Sequence, residues 1–209
     1  AKYVLGNEAV YSILTILVVP GGAIATVLIP WFTKHFGKKN TYIYVHVLGA
    51  VVMFAMYFIG RNGGYNNSSN LLWLAIGFVL LGLPQGINNV ITYAMIGDTV
   101  EYLEWKTGER AEGICFSMQT FINKISMAVG AFIGVMAYGI SGISPSDPYN
   151  TVTPEGSEKL WAVLILSGAI SMVATIIPML FYKVTESKQR EYVKEIEERK
   201  AAKAAKTAE

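Results

Sequence analysis

The chain has 209 residues, of which 53% are hydrophobic and 15% are charged, and its formal net charge is +2. Soluble domains carry charge on roughly a quarter of their residues, so this composition favours a membrane protein, and the small, scattered net charge excludes a nucleic-acid partner. The single cysteine, Cys115, excludes an intrachain disulfide and a CxxC motif.

Five apolar segments are long enough to cross a bilayer as α-helices. About 20 residues at 1.5 Å per residue cover the ~30 Å hydrocarbon layer. The predicted spans are residues 9–32, 41–59, 71–97, 113–143 and 160–182. The sequence therefore predicts an all-α membrane protein.

The C-terminal segment, residues 185–209, differs from the rest because it is rich in Glu, Lys and Ala. Glu195 and Arg199 stand at an i,i+4 spacing that favours a helical ion pair. We expect a charged tail that forms a solvated helix and grades into disorder.

Basic residues give the predicted orientation. When the connections are assigned alternately to two sides, one side receives Lys34, Lys38, Lys39, Lys106, Arg110 and eight Lys or Arg from Lys183 onward. The other side receives Lys2, Arg61 and Lys159. Because cytoplasmic loops retain positive charge, we expect a multi-pass protein of the cell membrane with its N-terminus outside and its C-terminus in the cytoplasm. Trp31, Trp73 and Trp161 fall near predicted helix ends, where indoles sit among headgroups.

Lys124 lies inside the fourth predicted span. It is 12 residues after Glu112, or about 18 Å along a helix, near the middle of the ~30 Å layer. A lysine there costs on the order of 2.5 to 3.5 kcal/mol on insertion scales, and no acid lies within the five spans. We expect its partner to be a substrate, a water-filled cavity or a residue on another segment; the alternative is that it snorkels or packs against helix carbonyls.

Polar residues surround that lysine on the same predicted helix. Ser117, Thr120 and Lys124 share one face, and Gln119 and Asn123 form an adjoining pair. The third span carries a second polar group after Pro84, consisting of Gln85, Asn88, Asn89, Thr92 and Tyr93. These side chains either line a pathway or join helices by hydrogen bonds.

Glycine and proline predict bends and close contacts in the spans. Pro84 with its flanking glycines, Gly82 and Gly86, favours a kink, and the sequence Pro20-Gly21-Gly22 could act in the same way. Gly130 and Gly134 form a GxxxG pattern, which is typical of close helix packing.

Two connections lie on the predicted inner side. Residues 33–40 read as a short basic turn between antiparallel helices. Residues 98–113 read as a loop with five acids and two bases, which we expect to pair with basic groups elsewhere in the protein, as a closing ion-pair network would. The alternative is a solvated charged loop.

This second connection resembles the glycoside-pentoside-hexuronide:cation symporters, a branch of the major facilitator superfamily related to the melibiose carrier. The similarity rests on Asp98-x-x-Glu101-Tyr102-x-Glu104-x-Lys106-Thr107-Gly108-x-Arg110-x-Glu112-Gly113, followed by Ser117-x-Gln119-Thr120-x-x-x-Lys124. Residues 2–7 and the turn Phe36-Gly-Lys-Lys39 also look like family segments. The resemblance implies that residues 1–184 are helices eight to twelve of a twelve-helix transporter, within its C-terminal six-helix half.

The same resemblance implies secondary active transport of a sugar by alternating access. Lys124 would couple to a monovalent cation, Na⁺ or H⁺, with no other cofactor, and Gln119 and Thr120 would lie beside the sugar. Together with the polar faces above, the substrate-binding candidates are Gln119, Thr120, Asn123, Asn88, Asn89, Thr92 and Tyr93. Asp98, Glu101, Glu104 and Arg110 would belong to the cytoplasmic gate.

The expected partners are therefore a sugar, a cation, the lipid bilayer and an N-terminal half of the same protein that contributes the main cation and sugar sites. No enzyme activity is predicted, because HExxH, GxSxG, Walker A and GxGxxG motifs do not occur. Two alternatives stay open: a lipid or amphipath carrier of the same fold, and a truncated five-span module that does not transport.

Overall fold

A computed structural model of the chain describes residue 4 and residues 8–63, 68–143 and 152–207. In these residues the chain forms five helices and no strand: α1 (Glu8–Gly63), α2 (Ser68–Thr107), α3 (Glu112–Ile140), α4 (Pro154–Phe181) and α5 (Glu186–Thr207). The first four are long and apolar enough to cross a membrane. The all-α membrane fold predicted from composition is confirmed.

Helix α1 consists of two limbs joined at Gly37. Its 56 residues would extend about 84 Å as one straight helix, far more than a bilayer requires. Gly37 has φ 76° and ψ 162°, a conformation that residues with a Cβ rarely adopt. The chain therefore turns there, and residues 8–36 and 38–63 carry the first two predicted spans. The basic turn was expected over residues 33–40, but the chain direction changes at Gly37 alone and the residues on either side are helical.

Contacts with α2 show that the two limbs are antiparallel. Gly82 and Gly86 of α2 approach Val18 and Gly22 of the first limb, so the residue numbers rise together. Gly77 approaches Met56 and Pro84 approaches Gly49 of the second limb, so there the numbers rise in opposite directions. Helix α2 thus packs against both arms of a hairpin.

The buried apolar residues form two clusters along this three-part bundle. One contains Leu14, Val52, Met56, Leu74 and Trp161, and the other contains Ala25, Ile29, Val45, Ile87, Ile91 and Met95. The second cluster lies nearer the end that we call the basal end, which comprises residues 33–40, 98–113 and 182–207. Helix α4 runs back along the bundle and ends there, where Lys39 Nζ donates hydrogen bonds to the carbonyls of Leu180 and Tyr182 at 2.9 and 3.0 Å.

Glycines make the closest helix contact at a different place from the one predicted. A Cβ on Gly86 would lie 2.5 Å from the carbonyl oxygen of Gly22, so only glycine allows this approach. Apart from the backbone of α3 itself, no atom of the described residues lies within 4 Å of a Cβ placed on Gly130 or Gly134. The close-packing role expected of Gly130 and Gly134 is therefore wrong for this structure. Gly82 and Gly86, assigned to easing a bend at Pro84, pack the helices instead, and α2 stays helical through Pro84.

Helix α3 packs differently from the others. Ala137 is its one buried residue, and large apolar side chains such as Phe121, Met127 and Phe132 are 58%, 76% and 64% exposed. Its start is tied to the basal end by residues 108–111, where Gly108 turns the chain with φ 80°. Most of its apolar surface is left for lipid or another helix.

Two expectations at the helix ends need correction. Residues 98–107 are not a loop but the last ten residues of α2, because Glu, Lys and Leu favour helix and α5 packs against them. The C-terminal helix is likewise not merely solvated: it is helical to Thr207, with Ile196 8% exposed. The predicted Glu195–Arg199 pair is present, at 3.1 Å.

Trp161 also departs from its expected place among headgroups. It is 8% exposed and its indole packs where a side chain on Gly60 would otherwise stand. Trp31 and Trp73 are 53% and 57% exposed, and their place at the interface stays a prediction.

Candidate functional site

The polar face of α2 presents the side chains that the sequence assigned to the substrate. Asn88, Asn89 and Tyr93 are exposed and Thr92 is half-buried. Thr92 Oγ1 donates a hydrogen bond of 2.9 Å to Asn88 Oδ1. The i,i+4 spacing of a helix accounts for this pair. Asn89 makes no hydrogen bond within the described part of the chain.

Two grooves border this face, one on either side of α2. The first has a volume of about 390 Å³ and lies against the first limb of α1; the residues that line it include Thr15, Thr26, Gln85, Gly86 and Asn89. The second has a volume of about 320 Å³ and lies against the second limb and α4; it is lined by residues that include His46, Gln85, Asn88 and Met172. The two predicted asparagines therefore face different grooves.

The polar stripe of α3 is present as predicted but stands by itself. Thr120 and Asn123 are exposed, and Thr120 Oγ1 donates to the carbonyl of Phe116 at 3.0 Å. Gln119 is half-buried, and its Oε1 is shielded from solvent and receives no hydrogen bond from a described residue. No hydrogen bond among the described residues joins this stripe to the polar face of α2. The structure thus places the substrate-binding candidates in two separate sets.

Lys124 is an exposed cation in the middle of α3. Its side chain makes no ion pair or hydrogen bond to any residue that the structure describes, although apolar side chains surround it along the helix. The expectation that its partner lies outside the five spans is consistent with this geometry. The nature of that partner stays a prediction.

The basal end brings together charged side chains from three parts of the chain. Lys38 Nζ, in the turn of α1, lies 2.7 and 2.6 Å from the two carboxylate oxygens of Asp98. The Asp98 side chain is 8% exposed, so this ion pair is largely removed from solvent. The backbone N–H of Lys38 also donates a hydrogen bond to the Glu186 carboxylate.

Helix α5 supplies the partners of the other acids. Lys200 Nζ lies 2.6 Å from Glu104 Oε1, and Arg110 reaches Glu104 Oε2 at 3.1 Å. Gln189 Nε2 donates to Glu101 Oε2 at 2.6 Å. The four residues predicted as a gate are therefore all engaged, and their partners come from the same chain.

Electrostatics at Glu104 follow from this arrangement. Glu104 lies beyond the apolar segment 71–97, at the charged basal end, and its hydrogen bond with Lys200 holds the pKa of the carboxyl below its usual range. Arg110 acts in the same direction. The carboxylate form is favoured, so Glu104 stays available as a negative partner for α5.

Aromatic packing supports the same contact, which the sequence reading missed. The ring centroids of Trp105 and Tyr192 are 4.6 Å apart, and those of Tyr102 and Tyr192 are 5.6 Å apart. Trp105 Nε1 donates to Glu195 at 2.7 Å, and Arg199 donates to the Trp105 carbonyl at 2.7 Å. The signal was available, because Gln189, Tyr192, Ile196 and Lys200 recur at helical spacing and form one face of α5.

Comparison with known proteins gives the context for both sites. A family model described as MFS/sugar transport protein matches residues 1–186. The chain is 27% identical over 200 residues to a glucuronide carrier protein homolog of Escherichia coli, an alignment that covers 95% of this chain and 42% of the relative. It is 33% identical over 178 residues to a putative sulfoquinovose importer of Escherichia coli, with 85% and 36% covered.

A third similar protein is the raffinose carrier protein of Pediococcus pentosaceus, at 28% identity over 201 residues, which cover 93% of this chain and 29% of the carrier. The chain thus spans less than half the length of these relatives. No solved structure matches the chain significantly.

Proposed function

The chain belongs to the MFS/sugar transport protein family, and on that premise we propose that it forms the C-terminal part of a symporter that moves a sugar together with Na⁺ or H⁺. Alternating access would expose a central site first to one side of the membrane and then to the other. The chain would provide five of the helices around that site. An N-terminal half would provide the remainder.

The single observation that carries this proposal is the position of Lys124. It lies about 18 Å along α3 from the basal end, without a countercharge among the described residues. An unpaired cation at that depth is costly, so it is retained where it serves transport. We assign it the role of sensing the coupling cation: the negative groups of an empty cation site would attract the lysine, and a bound cation would neutralise them and release it.

Sugars are the substrate class that the relatives' names support. Those names specify a glucuronide, sulfoquinovose and raffinose. The first two are anionic sugars and the third is neutral, so a panel of methyl β-D-glucuronide, sulfoquinovose and raffinose samples both charge types. The amides on α2 and α3 are suited to either type, because they donate and accept hydrogen bonds with hydroxyl groups.

The basal network fits the inner gate of such a carrier. Its ion pairs join the turn of α1 to the end of α2, and the end of α2 to α5. We place the basal end in the cytoplasm because the predicted inner side collects most of the basic residues. A fluorescent protein fused after Glu209 would fluoresce in the cytoplasm; a periplasmic reporter that is active at the same site would contradict this orientation.

The test of coupling uses membrane vesicles that contain the full-length protein. Uptake of the three labelled sugars is measured with an imposed Na⁺ or H⁺ gradient for the wild type, Lys124→Ala and the control Lys203→Ala, which removes an exposed lysine of α5. We expect Lys124→Ala to abolish accumulation against a gradient while exchange of labelled for unlabelled sugar continues. Accumulation at the wild-type level in Lys124→Ala would contradict the coupling role.

The same assay separates the open alternatives. A lipid or amphipath carrier would transport none of the three sugars, and its binding would not be inhibited by them. A non-transporting module would show neither accumulation nor exchange.

A further inference from the structure

The chain contains two histidines, His35 and His46, and both have the same local geometry. In each, ring Nδ1 lies 2.8 Å from the carbonyl oxygen of the residue four positions earlier, which is Trp31 for His35 and Tyr42 for His46. Each imidazole also packs on the aromatic ring of that residue, with centroids 4.7 Å and 3.9 Å apart. The two sites differ in their surroundings, because His35 is exposed and His46 is buried, with 4% of its surface exposed.

His46 lies inside the apolar layer, in the second limb of α1. It follows Lys38 by 8 residues, which corresponds to about 12 Å along the helix from the basal end. An ionisable side chain at such a depth is rare in membrane proteins and usually marks a pathway for ions or protons. The coupling role assigned to Lys124 makes no use of this histidine.

The hydrogen bond with Tyr42 fixes which nitrogen of His46 can bind a proton. A carbonyl oxygen only accepts, so Nδ1 carries the hydrogen and donates it. The lone pair of the neutral ring is therefore on Nε2. Nε2 makes no hydrogen bond to any residue that the structure describes, so its lone pair is available for a proton.

The second groove connects His46 with other polar side chains. It has a volume of about 320 Å³, and Gln85 and Asn88 line it together with His46. Two amides and an imidazole nitrogen in one cavity provide the two to four polar partners that a water molecule needs. Water in this groove would deliver a proton to Nε2 and hydrate the ring once it is charged.

The groups around the ring are compatible with one added positive charge. The ring of Tyr42 stacks on the imidazole at an interplanar angle of 22°, and its carbonyl accepts from Nδ1; both contacts stabilise the imidazolium form. The other elements that line the groove contribute uncharged side chains, which include Val18, Gln85, Asn88 and Met172. Beside the ring, the Tyr42 phenol is the one further titratable group among the described residues, so no neighbouring charge repels the proton.

We infer that His46 is a proton-binding site: Nε2 takes a proton that enters through the second groove, and the charged ring then attracts the amide oxygen of Asn88. In the neutral state, Asn88 Oδ1 accepts a hydrogen bond from Thr92 Oγ1. A charge-assisted bond to the imidazolium, direct or through water, is stronger than this neutral one and draws Asn88 away from the polar face of α2. Protonation of His46 therefore weakens sugar binding. This consequence for transport rests on the proposed function, whereas proton binding itself does not.

Proton binding is measured on the full-length protein by NMR of histidines with isotopically labelled ring nitrogens. The signals of His46 are assigned by their loss in His46→Gln, or in His46→Met if the first variant does not fold. We expect the ring shifts of His46 to follow a titration between about pH 5 and 8, the range in which histidine changes charge, with Nε2 gaining the hydrogen. A His46 ring that stays neutral over this whole range would overturn the inference.

The effect on transport is measured as exchange of labelled for unlabelled sugar at the same pH on both sides, so that no proton gradient drives it. We expect the KM of the wild type to rise by about 3- to 10-fold as the pH falls through this range, as competition for one hydrogen bond predicts. His46→Gln has an uncharged amide and should remove the rise. His35→Gln is the matched control and should keep it, because it removes a histidine of the same local geometry outside the groove.

The two measurements separate this inference from the proposed function. A rise in KM that persists in His46→Gln, or that disappears in His35→Gln, would contradict the assignment to His46. A wild type that exchanges none of the three sugars would contradict the proposed function, and the NMR titration would still decide whether His46 binds a proton.

Discussion

The hairpin of α1 with α2 and the sparsely packed helix α3 are both apolar, yet they differ in how much of their surface is packed. In the first region, glycines bring the backbones of two helices together and an ion pair closes the basal end. In the second, the glycines contact no other helix in the part of the chain that the structure describes, and the one lysine has no described countercharge. The comparison teaches that the same residue types serve the fold in one helix and are left for a ligand, lipid or another helix in the other.

We expect the largest difference in stability between the two regions when Lys38 and Lys124 are each replaced by alanine. Lys38→Ala leaves the Asp98 carboxylate buried without its cation, and we expect the free energy of unfolding to fall by about 3 kcal/mol. Lys124→Ala should not destabilise the protein, because it removes an uncompensated mid-membrane charge and no described residue loses a partner. Thermal unfolding of the detergent-solubilised protein, followed by fluorescence, measures both values. Equal destabilisation by the two variants would break the comparison.

A matched pair of glycine substitutions gives the next effect in size. Gly86→Ala places a methyl group 2.5 Å from a backbone oxygen of Gly22, and we expect a loss of about 1 to 3 kcal/mol because the helices must separate. The methyl group of Gly134→Ala meets no described residue outside its own helix within 4 Å, so this variant should be neutral or slightly stabilising, since alanine favours helix by about 1 kcal/mol. The same unfolding measurement applies. A stable Gly86→Ala variant would mean that the helices do not cross at these glycines.

Helix α5 packs against the end of α2, and this contact can be weakened without changing the rest of the bundle. Ile196→Ser removes the buried apolar contact of α5, and we expect the helix to detach with a local loss of about 2 kcal/mol. Ala201→Ser, on the exposed part of the same helix, is the control. Limited trypsin digestion measures the result: cleavage after Lys194 or Arg199 should be faster in Ile196→Ser alone. Equal cleavage rates would contradict the docked position.

Acidification should produce the smallest effect, at the same contact. The pKa of Glu104 is lowered in the folded state. The carboxylate therefore stabilises the contact with α5 fully above the ordinary carboxyl pKa, and this stabilisation is lost as the pH falls through the lowered value. Trypsin is inactive at such pH, so the protection of the α5 amides against hydrogen exchange is compared at neutral and acidic pH. Glu104→Gln should show faster exchange already at neutral pH and a weaker pH dependence; a pH dependence equal to that of the wild type would contradict the role of Glu104.

Hydropathy and motif spacing were sufficient to predict the helices of the membrane region, because each apolar segment must satisfy its own backbone in lipid. They could not show which glycines pack against another helix. Gly82-x-x-x-Gly86 and Gly130-x-x-x-Gly134 are the same pattern, and only the position of the neighbouring helix distinguishes them. Three partners were likewise hidden, namely Lys38 for Asp98, Gln189 for Glu101 and Lys200 for Glu104, because they lie 60 to 96 residues away along the chain. The roles of Lys124 and of the polar faces stay predictions, since they depend on a ligand and on chain contacts outside these helices.

The exposed flank of α3 also has a consequence for how the polypeptide survives in a cell. A membrane-embedded segment with a polar stripe and little packing against its neighbours is what quality-control proteases and chaperones of the membrane recognise. Synthesis of these 209 residues without a polypeptide that covers α3 should therefore give rapid turnover, and co-synthesis with such a polypeptide should restore the yield.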